Sequence, residues 1–212
     1  MQTTNTMLCL PCMDTFPTET VKSLIGLQKY GDTVIGWGQG TLIHIAREQL
    51  AESAMNAMPE DGWTLWIDSD MTFPPDLLQR MIDTAEKNRY WILGTVCYRR
   101  RPPYTPVLFK ELEIDTQSGL CSKLEQMMPP SDTEPFEVAA IGMACVLIHT
   151  RVFREVRQKF GNNFHPIGYN SEDTSFMWKA RKCGFKVFVD PSLNIGHVGQ
   201  YVFGKETRNA RS

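Results

Sequence analysis

The first hundred residues alternate between short apolar runs and stretches with helical periodicity, and few folds accommodate that rhythm. Thr6–Leu10, Thr33–Trp37, Trp63–Asp68 and Trp91–Tyr98 read as strands. Between the first two, Thr18 stands at the start of a helix predicted to run to about Tyr30. Between the next two, Leu42, Ile45, Ala46, Gln49, Leu50, Ser53, Ala54 and Ala57 recur at helical spacing until Pro59 and Gly62 end the pattern. Pro74-Pro75 then opens a helix with Leu78, Met81, Ile82 and Ala85 on one face. A β-α-β-α-β-α-β order predicts an α/β fold, a mainly parallel sheet flanked by helices on both faces.

The second half is less regular. From Arg99 to Glu137 proline and charge increase, with short strands predicted at Val107–Lys110 and around Ile114. Gln117-Ser118-Gly119 reads as a hairpin turn and Met128–Asp132 as a loop. Val138–Ile148 returns to the core, followed by a helix from Arg151 to about Phe160 and a polar loop over 161–171. A last helix, Thr174–Cys183, ends at Gly184, and Lys186–Val189 reads as a final strand. No repeat is visible. Residues 1–203 are expected to form one domain, with a first half over 6–98 and a second over 99–203, and 204–212 to be a mobile tail.

Composition narrows the class of protein. The chain has 212 residues, 42% apolar and 22% charged, ordinary for a soluble globule. Its net charge of −2 provides no global basic field to make nucleic acid the default partner. The charge is unevenly spread: 11 basic and 19 acidic residues up to position 149, then 11 and 5 from position 150 onward. Val138–Ile148, the longest uncharged apolar stretch, has 11 residues and is too short to span a bilayer. The N-terminus lacks the positive charge of a signal or transit peptide, so a cytoplasmic location is expected. The six cysteines are expected to be mostly buried, reduced thiols. Cys9 and Cys12 form a single C-x-x-C with no second pair at zinc-finger spacing.

The chemistry concentrates at Trp63-Thr64-Leu65-Trp66-Ile67-Asp68-Ser69-Asp70. Here an apolar strand ends in two carboxylates one residue apart. Strand alternation would send Asp68 and Asp70 to the same side, where both can converge on one hard cation such as Mg²⁺ or Mn²⁺. With 11 Asp in the chain, roughly half an Asp-x-Asp is expected by chance, so the tripeptide matters only through its place at the carboxyl end of a strand. Read blandly, the two acids are solvated turn residues or helix caps.

The run WIDSDMTFPPDLL, preceded by AREQLAESAM and followed by ILGTVCYRRRPP, resembles the donor half of a GT-A glycosyltransferase, nearest to the family 2 type. IGMACVLIHTRVF followed by SEDTSFMWKARKCGFKVFVDPSLNIGHVG is similar to that family's acceptor-side segment. The likeness runs from about Leu8 to Gly199. It implies a transfer of sugar from a nucleotide-sugar donor, a UDP- or GDP-sugar, to an acceptor hydroxyl with inversion. By the resemblance, Asp70, assisted by Asp68, would hold Mn²⁺ or Mg²⁺, and His197 would complete the metal site. Asp173 stands where the family keeps its catalytic base, with Glu172 as the alternative. Arg47, Pro11, Ser69 and Gly142 fall on the donor-binding side. One departure is plain: the second strand ends in Gly36-Trp37-Gly38, without the acid that often reads uracil there.

Each role has a structural alternative. Asp173 at a helix start is also a natural N-cap, and His197 between glycines is also a hydrogen-bonded turn residue. Arg99-Arg100-Arg101, flanked by Tyr98 and Tyr104, reads either as a solvated face or as a contact to an acceptor or phosphate. The acceptor is open to a saccharide, a lipid carrier, a protein or a modified nucleobase, anionic ones included. Two rival enzymes fit less well. Gly36-Trp37-Gly38-Gln39-Gly40 lacks the last glycine of a dinucleotide loop, and Pro11-Cys12-Met13-Asp14-Thr15 is not the glycine-rich loop of a pyrophosphorylase. A non-catalytic carbohydrate- or protein-binding module on the same scaffold is the rival from another class.

Overall fold

The structure, a computed structural model, describes residues 6–40, 42–59, 61–131 and 133–199. The tail predicted over 204–212 lies outside the described residues. The elements in chain order are β1 (Thr6–Cys12), α1 (Thr18–Gly26), β2 (Thr33–Gln39), α2 (Ile43–Ala57), β3 (Trp63–Ile67), β4 (Met71–Thr72), α3 (Leu77–Asn88) and β5 (Ile92–Thr95). The second half contributes β6 (Leu108–Asp115), β7 (Leu120–Gln126), β8 (Phe136–Val138), β9 (Ala140–Ile141), β10 (Cys145–His149), α4 (Thr150–Phe160), α5 (Glu172–Lys182), β11 (Val187–Asp190) and β12 (Gly196–His197).

Seven strands form the central sheet in the order β2-β1-β3-β10-β5-β11-β8. Five of them run one way, while β10 and β8 run antiparallel to their neighbours. The mixed α/β architecture therefore holds, with a mostly parallel sheet covered on both faces. All five residues of β3 are buried, which is what a central strand with helices above and below requires. Its side chains alternate between two cores. Trp66 packs against Phe153 and Phe164 on the side of α2, α4 and α5, whereas Leu65 and Ile67 join Leu77, Leu78, Met81 and Ile82 of α3.

Some expectations change. The first helix stops at Gly26, four residues early. The two short strands predicted near Val107 and Ile114 are one strand, β6, which turns at Gln117-Ser118-Gly119 into β7. The core run at Val138–Ile148 breaks into the end of β8, then β9 and β10, around Gly142. The apolar face of α2 is rotated from the predicted one. Ala46, Arg47, Leu50, Ala51, Ala54 and Met55 are buried, while Leu42 and Ile45 are 54% and 41% exposed. Arg47 lies on the buried face because its ion pairs to Asp68 and Glu172 hold it there. All six cysteines are free, and Cys9, Cys97 and Cys145 are buried as expected, but Cys121 is exposed.

His149 caps α4: its Nδ1 accepts the Arg151 N–H at 3.4 Å, and the ring packs edge-on to Trp63 and Trp91 with centroids 4.8 Å away. Burial pushes its pKa down from 6.5 to about 4. A depressed histidine contributes stability that is complete above the unfolded value and is lost as pH falls toward the folded one. Urea denaturation at pH 7 and pH 5 should therefore show the wild type losing about 2 kcal/mol more than His149→Gln between those pH values. Equal losses would mean that the cap accepts a proton freely.

Candidate active site

The carboxyl ends of β1 and β3, the turn at Gly142, the start of α5 and the β12 segment surround one cleft of about 390 Å³, within the range of small-ligand sites. Pro11, Arg47, Asp68, Ser69, Asp70, Gly142, Glu172, Asp173 and His197 all line it. Of the basic triplet only Arg100 reaches the site, by an ion pair to Asp70. The side chains of Arg99 and Arg101 are not among those lining the cleft, and both residues are exposed.

The two strand-tip acids do not share a partner. β3 ends at Ile67, so Asp68, Ser69 and Asp70 form a turn in place of the strand extension that the alternation argument assumed. Asp68 Oδ1 meets Arg47 Nη2 at 2.7 Å, and Arg47 Nη1 meets Glu172 Oε1 at 2.6 Å. Arg47 is only 4% exposed, and its Nε has no partner among the described residues. Burial pushes the Asp68 carboxyl above its ordinary range, against the pull of Arg47. A guanidinium is suited to this fork because it bonds two carboxylates in one plane without losing its charge.

Asp70 has separate partners. Its Oδ2 stands 2.6 Å from Arg100 Nη1 and its Oδ1 3.3 Å from His197 Nε2. Its carbonyl accepts the Val198 N–H at 2.7 Å, and β12 pairs with β4 just beyond it, Gly196 to Thr72 and His197 to Met71. That two-stranded ribbon brings His197 to Asp70 across 127 positions. His197 Nδ1 lies 2.9 Å from the Tyr98 carbonyl, an acceptor only, so this nitrogen carries a proton. The Asp70 hydrogen bond, with help from Cys97 and the Tyr98 carbonyl, raises the His197 pKa to about 10. Burial raises Asp70, but the bond and charge of His197 and the charge of Arg100 outweigh it and hold the carboxylate below its ordinary range.

Asp173 lies in the first turn of α5, and Ser171 occupies the N-cap position. Its Oδ1 accepts the Thr174 N–H at 2.7 Å and the Ser171 hydroxyl. Its Oδ2 makes no hydrogen bond among the described residues and faces Gly142, where an added Cβ would stand 3.9 Å away. Glu172 meets Arg47 through Oε1 alone, and Asp68 does so through Oδ1 alone, so what sets Asp173 apart among the described residues is that it has no cationic partner.

Sequence reading missed Cys97, whose Sγ lies 3.7 Å from His197 Nδ1, and the apolar lining from Met13, Ile43, Val107 and Met143. Cys97 sits in an apolar run like any core thiol, and nothing local marks it. Also missed was the Arg47–Glu172 pair, 125 positions apart.

Asp70 and His197 stand as neighbours, and a carboxylate with an imidazole is a donor pair that Mn²⁺ accepts once the ring has given up the Nε2 proton that its raised pKa of about 10 keeps at neutral pH. Among the described residues no three His, Cys, Asp or Glu side chains are close enough together to hold an ion alone. Phosphate and water would have to complete such a shell, as is common for Mg²⁺. Asp68 Oδ1 is taken by Arg47.

No protein-family model matches the sequence, and no curated protein does. Solved structures do match. The A197 protein from STIV is similar with a TM-score of 0.63 at 15% identity, over 93% of this chain and 86% of that one. GalNAc-T7, solved with UDP, GalNAc and Mn²⁺, is similar with a TM-score of 0.60 at 13% identity; the match covers 93% of this chain but 44% of that one. These likenesses show a GT-A-like fold. No helix among the described residues is long and apolar enough to cross a membrane.

Replacing Arg47 by Met would leave two half-buried carboxylates without their counter-ion. Urea denaturation should show a loss of about 3 kcal/mol, with Arg47→Lys recovering only part because one ammonium cannot fork between both acids. Unchanged stability in Arg47→Met would show that the pair is incidental.

Proposed function

We propose that this chain is a glycosyltransferase that moves a sugar from a UDP- or GDP-sugar to an acceptor hydroxyl, by single displacement with inversion. The observation that carries the reading is the meeting, in one cleft, of Asp70 beside His197 with a free oxygen of Asp173 opposite. The likeness to a glycosyltransferase solved with UDP, GalNAc and Mn²⁺ supports it.

In this reading Asp70 and His197 hold Mn²⁺ or Mg²⁺, whose chemistry is to neutralise negative charge developing on the leaving diphosphate. Arg47 fixes Asp68 and Glu172 at the base of the cleft and offsets part of their charge against the donor's phosphates. Asp173 Oδ2 accepts the proton of the acceptor hydroxyl, while the Ser171 and Thr174 bonds to Oδ1 fix the carboxylate's direction. Pro11 and Ser69 lie along the donor, and Gly142 leaves backbone room beside the sugar. Arg100, now on Asp70, and the exposed Arg99 and Arg101 provide cationic contacts at the rim for phosphate or an anionic acceptor.

A thermal-shift screen of UDP- and GDP-sugars with and without Mn²⁺ tests the donor. The matching donor at 100 times its Kd should add about 2.7 kcal/mol of stability, and Asp70→Asn should remove the metal-dependent part. No metal-dependent stabilisation with any donor would contradict the reading. Asp173→Asn should lower turnover by about 10²–10⁴-fold while donor affinity is kept; unchanged turnover would remove Asp173 as the base.

A further inference from the structure

Among the described residues the central sheet has one unguarded edge. Its far edge, β8, is three residues long, carries Glu137 and follows Pro135. The outer strand of the small sheet, β7, carries Lys123 and Glu125, paired with Glu111 and Lys110. Shortness, proline and charge are the usual means of preventing an edge from pairing. β2 has none of them: it is seven residues of Thr-Val-Ile-Gly-Trp-Gly-Gln with neither charge nor proline.

The backbone of β2 is half used. The Thr6 N–H donates to the Asp32 carbonyl, and the parallel register then directs the even-numbered residues of β2 toward β1. The N–H and C=O groups of Thr33, Ile35, Trp37 and Gln39 are left on the open side. Val34, Ile35 and Trp37 are 50%, 46% and 60% exposed, Trp37 with its ring edge-on to Phe16 at 5.5 Å.

We infer that β2 is a homodimer interface, pairing antiparallel with β2 of a second copy about a two-fold axis at Gly36. The strand is self-complementary in that register. Ile35 stands opposite Trp37 of the second copy and Trp37 opposite its Ile35, an aromatic with a β-branched residue. Thr33 stands opposite Gln39, polar to polar, and the glycines meet on the axis. No like charges face each other, and the free odd-numbered amides and carbonyls find partners. A second copy therefore satisfies both the backbone and the side chains of this edge, and the two seven-stranded sheets become one.

Sedimentation velocity of the full chain across micromolar concentrations should show a reversible dimer. Ile35→Lys and Val34→Lys should each weaken it by at least about a hundredfold with far-UV circular dichroism unchanged. Hydrogen exchange of the wild-type chain gives a readout that needs no variant: the Ile35 and Trp37 amides should exchange fast in dilute protein and slow as the dimer forms. A wild type that stays monomeric, a dimer that resists both lysines, or amide exchange independent of concentration would overturn the inference.

Discussion

One buried guanidinium holds the cleft together. Arg47 sits on the second helix, yet its two terminal nitrogens bind the tip of the third strand at Asp68 and the start of the last helix at Glu172. Two of the three residues come from the first third of the chain and one from its last part, so both ion pairs form only when the two halves have come together. Breaking such a group leaves uncompensated charge in a poorly solvated place, which costs more than the pair gains over a hydrophobic substitute. Its role is to fix geometry: with Arg47 in place, the strand tip and the helix start cannot drift apart.

That constraint divides the acids of the cleft by task. Asp68 and Glu172 share the single charge of Arg47, Asp70 is turned to His197 and Arg100, and Asp173 has no cationic partner among the described residues. Four carboxylates in one small space would repel each other and any phosphate brought among them. The distribution of cations between them is what makes the cleft compatible with an anionic donor. The β4–β12 ribbon is the second organising element, because it carries His197 to Asp70 from the far end of the chain.

Much of the first half was legible in the sequence for a physical reason. Strands buried on both faces are nearly continuous apolar runs, and Trp63–Ile67 and Ile92–Thr95 are of that kind. Direction is not written in such runs: nothing in Cys145–His149 marks it as antiparallel and inserted between β3 and β5. The two-residue strands β4 and β12 are too short for any period to show. At the site, the residue types and the carboxyl-end position of Asp68 and Asp70 were legible, and the candidates on the donor, metal and base side do gather in one cleft. Their partners were not. Arg47 lies on the buried face of α2 and Ile45 outside it, the reverse of the apparent faces, because helical periodicity treats every arginine as solvent-facing unless a distant acid claims it.

The central claim is that Asp70 and His197 hold a divalent cation together with a nucleoside diphosphate. The chain has four histidines, whose ring signals NMR can follow separately. Substoichiometric Mn²⁺ added with UDP or GDP should broaden the His197 ring resonances first, leaving those of His44, His149 and His165 sharp. Broadening that spares His197, or that falls equally on all four rings, would contradict the account.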